Sequence, residues 1–568
     1  MKRQYITAFF ALALICFGSC KKQLEYTPTG VLSSQDLTSP TAVEGLVTAA
    51  YAAIGNGDMI GPIYSMWVYG SVRSDDSYKG GGGTGDVFEI DALEHYNTVV
   101  PTFDAFISRS WKNLYKSISR ANVAIRAVNG LADADFPQKQ SRLAELRFLR
   151  AHSYFTLKSL YKNIPIFDEN ATAEEILAVS NDLGWEESWN KIAADLEYAI
   201  NNLPETQQQL GRPNKFAAQA YLAKLRLFQA YQQDEQHRVV SINQQRLQEV
   251  VDLTQSVIES GKYALNADIA DNFLPETENS PESIFAIQFS INDGTTSGRL
   301  NYEDGLNYPH GAPQYGCCGF NAGTQNLVNA HTTDDKGLPN MTGFNNGIAD
   351  LSKVTVDVRL DHTVGIDGHV YKYDNTKLFS NSWVRDAGVY GNFHTMRSQQ
   401  LATSPSYFKN GPFMGVAKNQ DILRFDEVLL MQAEAYIELG QHDKALPLIN
   451  QIRARAAAST SRLKKLDGSF ASNYNVKQYP STGWTQDYAR LALQWERRLE
   501  FATEGHRFFD LVRWGIAEPT LNQYINVEKM RRPYLSTAKF TAGRDEYLPI
   551  PQSEITFTKG LYIQNPGY

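Results

Sequence analysis

The chain has 568 residues, enough for several domains of roughly 150 residues each, yet no low-complexity linker divides it. Its 54 Lys and Arg against 62 Asp and Glu leave a formal charge of −8, which argues against a nucleic-acid partner, since that would need clustered cations. Four cysteines, two near the amino terminus and two adjacent at Cys317 and Cys318, make no conventional disulfide framework; the adjacent pair are either free thiols or a vicinal disulfide.

Lys2 and Arg3 precede an apolar run, Ile6 to Phe17, followed by Gly18-Ser19-Cys20. A basic start, a short apolar core and small residues before a break describe a secretory signal peptide, shorter than the roughly 20 residues of a membrane span. Cys20 at the break reads as a lipobox cysteine, the acylated first residue of a bacterial lipoprotein, with Phe17 where that pattern usually carries leucine. Each acyl methylene it buried would contribute roughly 0.8 kcal/mol to anchoring. No later stretch is apolar enough to span a bilayer. The expected division is a signal peptide over residues 1–20 and a single body over 21–568.

The first irregular segment, about residues 54–101, carries Arg73-Ser74-Asp75-Asp76, Tyr78 and a glycine tract from Gly80. The tract lacks the GK[ST] of a phosphate loop, so its expected role is flexibility. Helical spacing begins at Thr102, where Trp111, Tyr115, Ile118 and Asn122 share a face; Asn122 there is expected to be buried and hydrogen-bonded. Leu146, Leu149, Tyr154, Leu157 and Leu160 mark a long amphipathic helix ending near Asn163, with a partner from Trp189 to Leu203. A second pair runs from Gly211 to Tyr231 and from Gln244 to Ser260. The clearest pair is Ile422 to Ala456, with a first helix ending at Gly440 and Asp443 as the N-cap of the second. A unit of about 34 residues with this distribution of small and aromatic residues is tetratricopeptide-like, and such pairs stack because one pair cannot bury its own apolar face.

Between these pairs, about residues 271–420 are rich in Gly, Asn, Tyr and Pro, with strand-like runs at Ile284–Phe289 and Lys353–Arg359. An irregular segment of that length on a helical frame is where binding usually resides. The carboxy-terminal region, about 421–568, contains WERRLEFATEGHRFFDLVRWG, Trp495 to Gly515. Leu491, Trp495, Leu499 and Ala502 fall on one helical face, Glu504-Gly505 reads as the helix end, and Phe508, Leu511 and Val512 restart an apolar face. Glu496, Arg497, Arg498, Glu500, Arg507, Asp510 and Arg513 are nearly matched in charge, so they read as forks that brace the scaffold through bidentate bonds.

That stretch resembles the signature of the SusD/RagB-like outer-membrane nutrient-binding lipoproteins. The segments AELRFLRAHSYFTLKSLYKNIPI, GRPNKFAAQAYLAKLRLF and ILRFDEVLLMQAEAYIELGQHDKALPLINQIRARA are similar to the family's helical blocks, and LPIP…E…QNPGY is similar to its closing motif. The resemblance implies a mainly α fold, with tetratricopeptide-like helix pairs forming a superhelical scaffold that carries large loop-rich insertions and a few short strands. It implies a lipid anchor on Cys20, an outer-membrane location facing outward, and a SusC-like TonB-dependent transporter as partner. It implies capture of an oligosaccharide or other nutrient without catalysis, cofactor or metal.

Enzyme chemistry finds little support in the residues themselves. There is no HExxH, and Gly294 to Gly298 reads GTTSG where a nucleophile elbow would carry serine. Asp75-Asp76 and Asp334-Asp335 are the available carboxylate pairs for a surface glycoside hydrolase, the first alternative. A helical-repeat adaptor binding peptides or proteins is the second. Sugar capture needs flat aromatic faces flanked by polar side chains. The insertion offers Tyr302, Tyr308, Tyr315, Phe320, Trp383 and Tyr390 with Arg385 and Asp386. The expected ligand site is Asp75, Asp76 and Tyr78 together with Tyr308, Tyr315, Trp383 and Arg385.

Overall fold

The computed structural model describes residues 39–99, 103–295 and 298–568; Cys20 and the signal segment lie outside them. The frame is a succession of helices: α1 (Pro40–Ile54), α2 (Phe103–Asn129), α3 (Lys139–Tyr161), α4 (Trp185–Asn202), α5 (Lys215–Ala230), α6 (Gln244–Glu259), α7 (Phe425–Glu438), α8 (His442–Ala458), α9 (Gln486–Glu500), α10 (Arg507–Arg513) and α11 (Ala517–Arg531). Several starts carry the expected chemistry. The Ser39 hydroxyl accepts from the Ala42 N–H ahead of Pro40, and Asn214 and Thr485 cap α5 and α9 in the same way.

From α1 to α8 each helix packs on the next, and α9 lies against both α7 and α8. The chain leaves this stack after α6 and returns at α7, yet α6 and α7 are still neighbours. Leu146, Ala220, Val250, Leu429 and Leu493, from α3, α5, α6, α7 and α9, therefore share one core. This is the tetratricopeptide-like scaffold, mainly helical, that the spacing predicts. Asn122 on α2 is buried as expected and accepts from Arg150 at 2.6 Å.

Six short strands position the loops: β1 (Ser77–Gly80), β2 (Ser283–Ile287), β3 (Phe320–Gly323), β4 (Tyr407–Asn410), β5 (Phe413–Val416) and β6 (Gln420–Arg424). β2 pairs antiparallel with β6, so the two ends of the long insertion are fastened together at the helical stack. β1 pairs with β3, placing Tyr78 opposite Ala322 and stitching the first irregular segment to the second. β4 and β5 form a hairpin. Among the described residues no helix is long and apolar enough to cross a membrane.

Several local expectations are corrected. Helix α9 ends at Glu500, and Gly505, at φ +82°, comes after a further turn in which Thr503 also has positive φ. Asp443 lies inside the first turn of α8 rather than capping it. Of Lys353–Arg359 only Thr355–Val356 is strand, and Arg359 opens a short helix. The start of the glycine tract, Gly80 to Gly82, is tightly packed rather than free. A Cβ on Gly80 would meet the Gly319 carbonyl oxygen at 2.3 Å, and one on Gly82 would meet Arg385 Nη2 at 2.4 Å. Glycine is needed there for close approach of two chain segments.

Candidate functional site

The acids before β1 belong to the scaffold. Arg507 on α10 donates to Asp75 at 2.8 Å, and Arg498 on α9 donates to Asp76 at 3.0 Å. Asp75 is 2% exposed and Asp76 fully buried. Burial opposes ionisation of Asp75, but the Arg498 and Arg507 guanidinium groups outweigh it and hold its pKa down at about 2. The Tyr78 hydroxyl, also buried, donates to Glu528 at 2.5 Å. The arginine-rich stretch and the early-loop acids thus form one network, and the expected ligand contacts at Asp75, Asp76 and Tyr78 are corrected to internal fasteners. In the other carboxylate pair Asp334 accepts the N–H groups of Lys336 and Leu338 in its own turn, while Asp335 is exposed.

Tyr308 and Tyr315 are likewise interior. Their ring centroids lie 4.9 Å apart, edge to face. Tyr315 donates to the Gln400 carbonyl at 2.9 Å, while the Gln400 N–H donates to the Tyr308 hydroxyl at 3.1 Å. Burial pushes both phenols up, Tyr315 to about 12. Neither ring is presented to an outside ligand, so these two expectations are corrected as well.

Trp383 and Arg385 stay at the surface, half-buried. A short turn, Asn381–Trp383, sets the indole edge-on to Tyr371 and Phe379, with centroids at 5.3 and 5.4 Å. Arg385 donates to Asp86 and to the Cys318 carbonyl, each at 3.0 Å, and Gly82 passes directly against its guanidinium. Cys317 and Cys318 form a vicinal disulfide. Cys317, half-buried, packs with Trp383 on the apolar cluster that contains Tyr308, Tyr315 and Phe379. His310 is exposed nearby, lowered in pKa by partial burial and then by Arg385. Lys409 on β4 donates to the Tyr315 carbonyl at 2.7 Å.

The face therefore offers a half-exposed indole on a rigid aromatic bed, flanked by a guanidinium–carboxylate pair, an imidazole and an ammonium group. A ring of this kind takes the apolar side of a sugar, and the flanking groups suit hydroxyls. Sequence reasoning missed Asp86, His310, Cys317 and Lys409 as parts of this face. The adjacent cysteines were the one visible signal; Asp86 reaches Arg385 across 299 residues and had none.

Among the described residues one trio of acids, Glu282, Asp426 and Glu500, is close enough to share a metal ion. Arg455 bridges Glu282 and Glu500, Arg424 lies 3.0 Å from Asp426 and Arg359 lies 3.1 Å from Glu500. Guanidinium groups already supply the opposing charge there.

Residues 281–568 match the SusD family, and residues 76–227 match a family described as starch-binding and associating with the outer membrane. A SusD-like protein of Formosa agariphila is 26% identical over 587 residues, covering all of both chains. A SusD homolog from Bacteroides thetaiotaomicron superposes with a TM-score of 0.70 at 20% identity, over 94% of this chain and 99% of that one. Surface glycan-binding protein A from the same organism, solved in complex with laminarihexaose, superposes with a TM-score of 0.64 at 22% identity, over 93% and 100%. These structural likenesses establish the fold. With a family match spanning more than half of its length, the chain belongs to the SusD family.

Proposed function

We propose that this protein is a cell-surface lipoprotein that captures an oligosaccharide at the Trp383 face and delivers it to a SusC-like TonB-dependent transporter, without chemistry of its own. The observation that carries the reading is the half-exposed indole of Trp383 held beside the Arg385–Asp86 pair. The solved relative that holds laminarihexaose supports a glycan as the ligand class. The reading without catalysis is supported by the buried Asp75-Asp76 pair, both members of which are engaged by arginines.

Stacking contributes roughly 0.5–1.5 kcal/mol per ring beyond buried area, so a site with one exposed indole binds weakly, about micromolar to millimolar. Repeated sugars in a polymer offset this through multivalency on a surface crowded with copies. In this reading the chain is cleaved before Cys20, Cys20 stays as the lipid-bearing first residue, and the 21–568 body faces outward from the outer membrane.

A glycan-array screen of the body, followed by calorimetry, tests the ligand. Binding lost in Trp383→Ala and Arg385→Ala, with no product released, supports the reading; turnover of the glycan makes the protein an enzyme instead. Co-purification after mild detergent extraction tests the partner. A barrel of transporter size supports delivery, and its absence favours a helical-repeat adaptor. Membrane retention of Cys20→Ala would count against the anchor.

A further inference from the structure

We propose that the protein has a second sugar-binding cleft, on the opposite side of the β4–β5 hairpin from Trp383, shaped for one or two uncharged sugar residues. The proposal rests on the glycan reading and extends it to a new surface. The cleft has a volume of about 500 Å³ and opens to solvent between the Asn56–Met59 loop, Asn113 on α2, Tyr302 and the tip of the hairpin. That size lies within the range of small-ligand sites.

Its aromatic walls are Tyr302 and Phe413. Phe413 is 36% exposed, so part of its ring is open to the cleft. The Tyr302 ring lies directly against Gly415 of β5, where a Cβ would come within 2.7 Å of it. Around these rings stand three asparagines, Asn56, Asn113 and Asn410. Among the described residues none of their side-chain amides bonds to another protein group. A primary amide offers both donor and acceptor, the combination that neighbouring sugar hydroxyls require. The one charge in the lining, Asp58, is answered by Arg109 at 2.8 Å and by the Ile60 N–H at 3.0 Å. The cleft is therefore electrically balanced, which suits a neutral sugar better than an acidic glycan or a charged peptide.

The cleft is also preorganised. The Glu303 carboxylate, next in sequence to Tyr302, accepts the N–H groups of Ile63, Tyr64 and Ser65 at 2.6, 3.1 and 2.7 Å. Gly57 passes so close that a Cβ would overlap that carboxylate. Tyr302 and the loop that faces it are thus held as one unit, so little ordering is needed on binding.

The hairpin joins the two sites. Side chains alternate along β4, so Lys409 reaches the Tyr315 carbonyl on the Trp383 side, while Asn410, opposite Phe413 in the register, lines the cleft. Two weak sites on the two sides of one hairpin let neighbouring stretches of a single polymer bind together, raising avidity without tighter contacts at either.

The test is calorimetric titration of the full chain in detergent with laminarin, amylose, xylan and mannan, comparing wild type with Trp383→Ala and with the pair Phe413→Ala and Asn113→Ala. The expected result is a roughly three- to ten-fold loss of polymer affinity in the cleft pair, with an unchanged melting temperature. Asn410→Ala, at an exposed hairpin position, repeats the test without touching a helix. Wild-type affinity in both cleft variants, with a loss in Trp383→Ala, overturns the cleft and keeps the Trp383 face. Loss in the cleft variants alone keeps the cleft and removes the Trp383 face. Failure of the wild type to bind any of the four polymers overturns both.

Discussion

Arg507 forks Asp75 across 432 residues of chain, with Nε 2.8 Å from one carboxylate oxygen and Nη2 3.1 Å from the other. The pair ties the loop before β1 to α10, and only 10% of the arginine side chain and 3% of the aspartate side chain reach solvent. Removing one partner leaves the other charge buried and under-compensated.

Arg507→Ala is accordingly expected to cost on the order of 3–5 kcal/mol of stability. Replacing both partners by Asp75→Asn and Arg507→Leu is expected to cost less than the single change, because no charge is stranded. Urea unfolding of the wild type and the two variants checks this. A single-variant loss below about 1 kcal/mol would show that the fork is not needed to hold the loop.

Gly80→Ala is expected to destabilise the β1–β3 ladder. Gly80 has φ +74°, and an added methyl would run into the Gly319 carbonyl in the facing chain. A left-handed position combined with a backbone clash costs roughly 1–3 kcal/mol. Thermal melts of Gly80→Ala and of Gly85→Ala, where a Cβ meets nothing, provide the comparison. Equal melting temperatures would restore the flexible reading of the tract.

Tyr315→Ala and Trp383→Ala should separate stability from binding. Tyr315 is fully buried, so its truncation leaves a cavity and is expected to cost about 3–5 kcal/mol. Trp383 is half-buried, so its truncation should cost less while weakening glycan binding. Melting temperatures together with glycan titrations distinguish the two. A binding loss in Tyr315→Ala without destabilisation would return that ring to the ligand site.

Glu504 predicts a loss of stability in acid. Burial works against its charge, but Arg424 and Arg397 outweigh it and hold its pKa at about 2. The folded value lies below the unfolded value of about 4.3, so the stabilisation is present above that unfolded value. It is lost progressively as the pH falls from about 4 through 2, and amounts to on the order of 3 kcal/mol. Urea unfolding at stepped pH should lose less stability over that interval in Glu504→Gln than in the wild type. Identical slopes would place the acid sensitivity elsewhere.

The helical frame was legible in the sequence because helix periodicity is local. The spacings in α2, α3, α4, α5, α6 and α7 lie within a few turns, and their apolar faces had only one another to pack against. The arginine-rich stretch was also readable as a brace, since acids and bases are interleaved along it. Which loop residues would face a ligand was not legible. Asp75, Asp76, Tyr78, Tyr308 and Tyr315 lie in irregular segments that look open in sequence, yet the two segments close on each other through β1 and β3 and on the helices behind them. Loops have no period that reports burial, and their partners are distant: Asp76 meets Arg498 across 422 residues, and Arg385 meets Asp86 across 299. Only the tertiary structure decides that Trp383 and Arg385 stay outside and that the glycines beside them serve close packing.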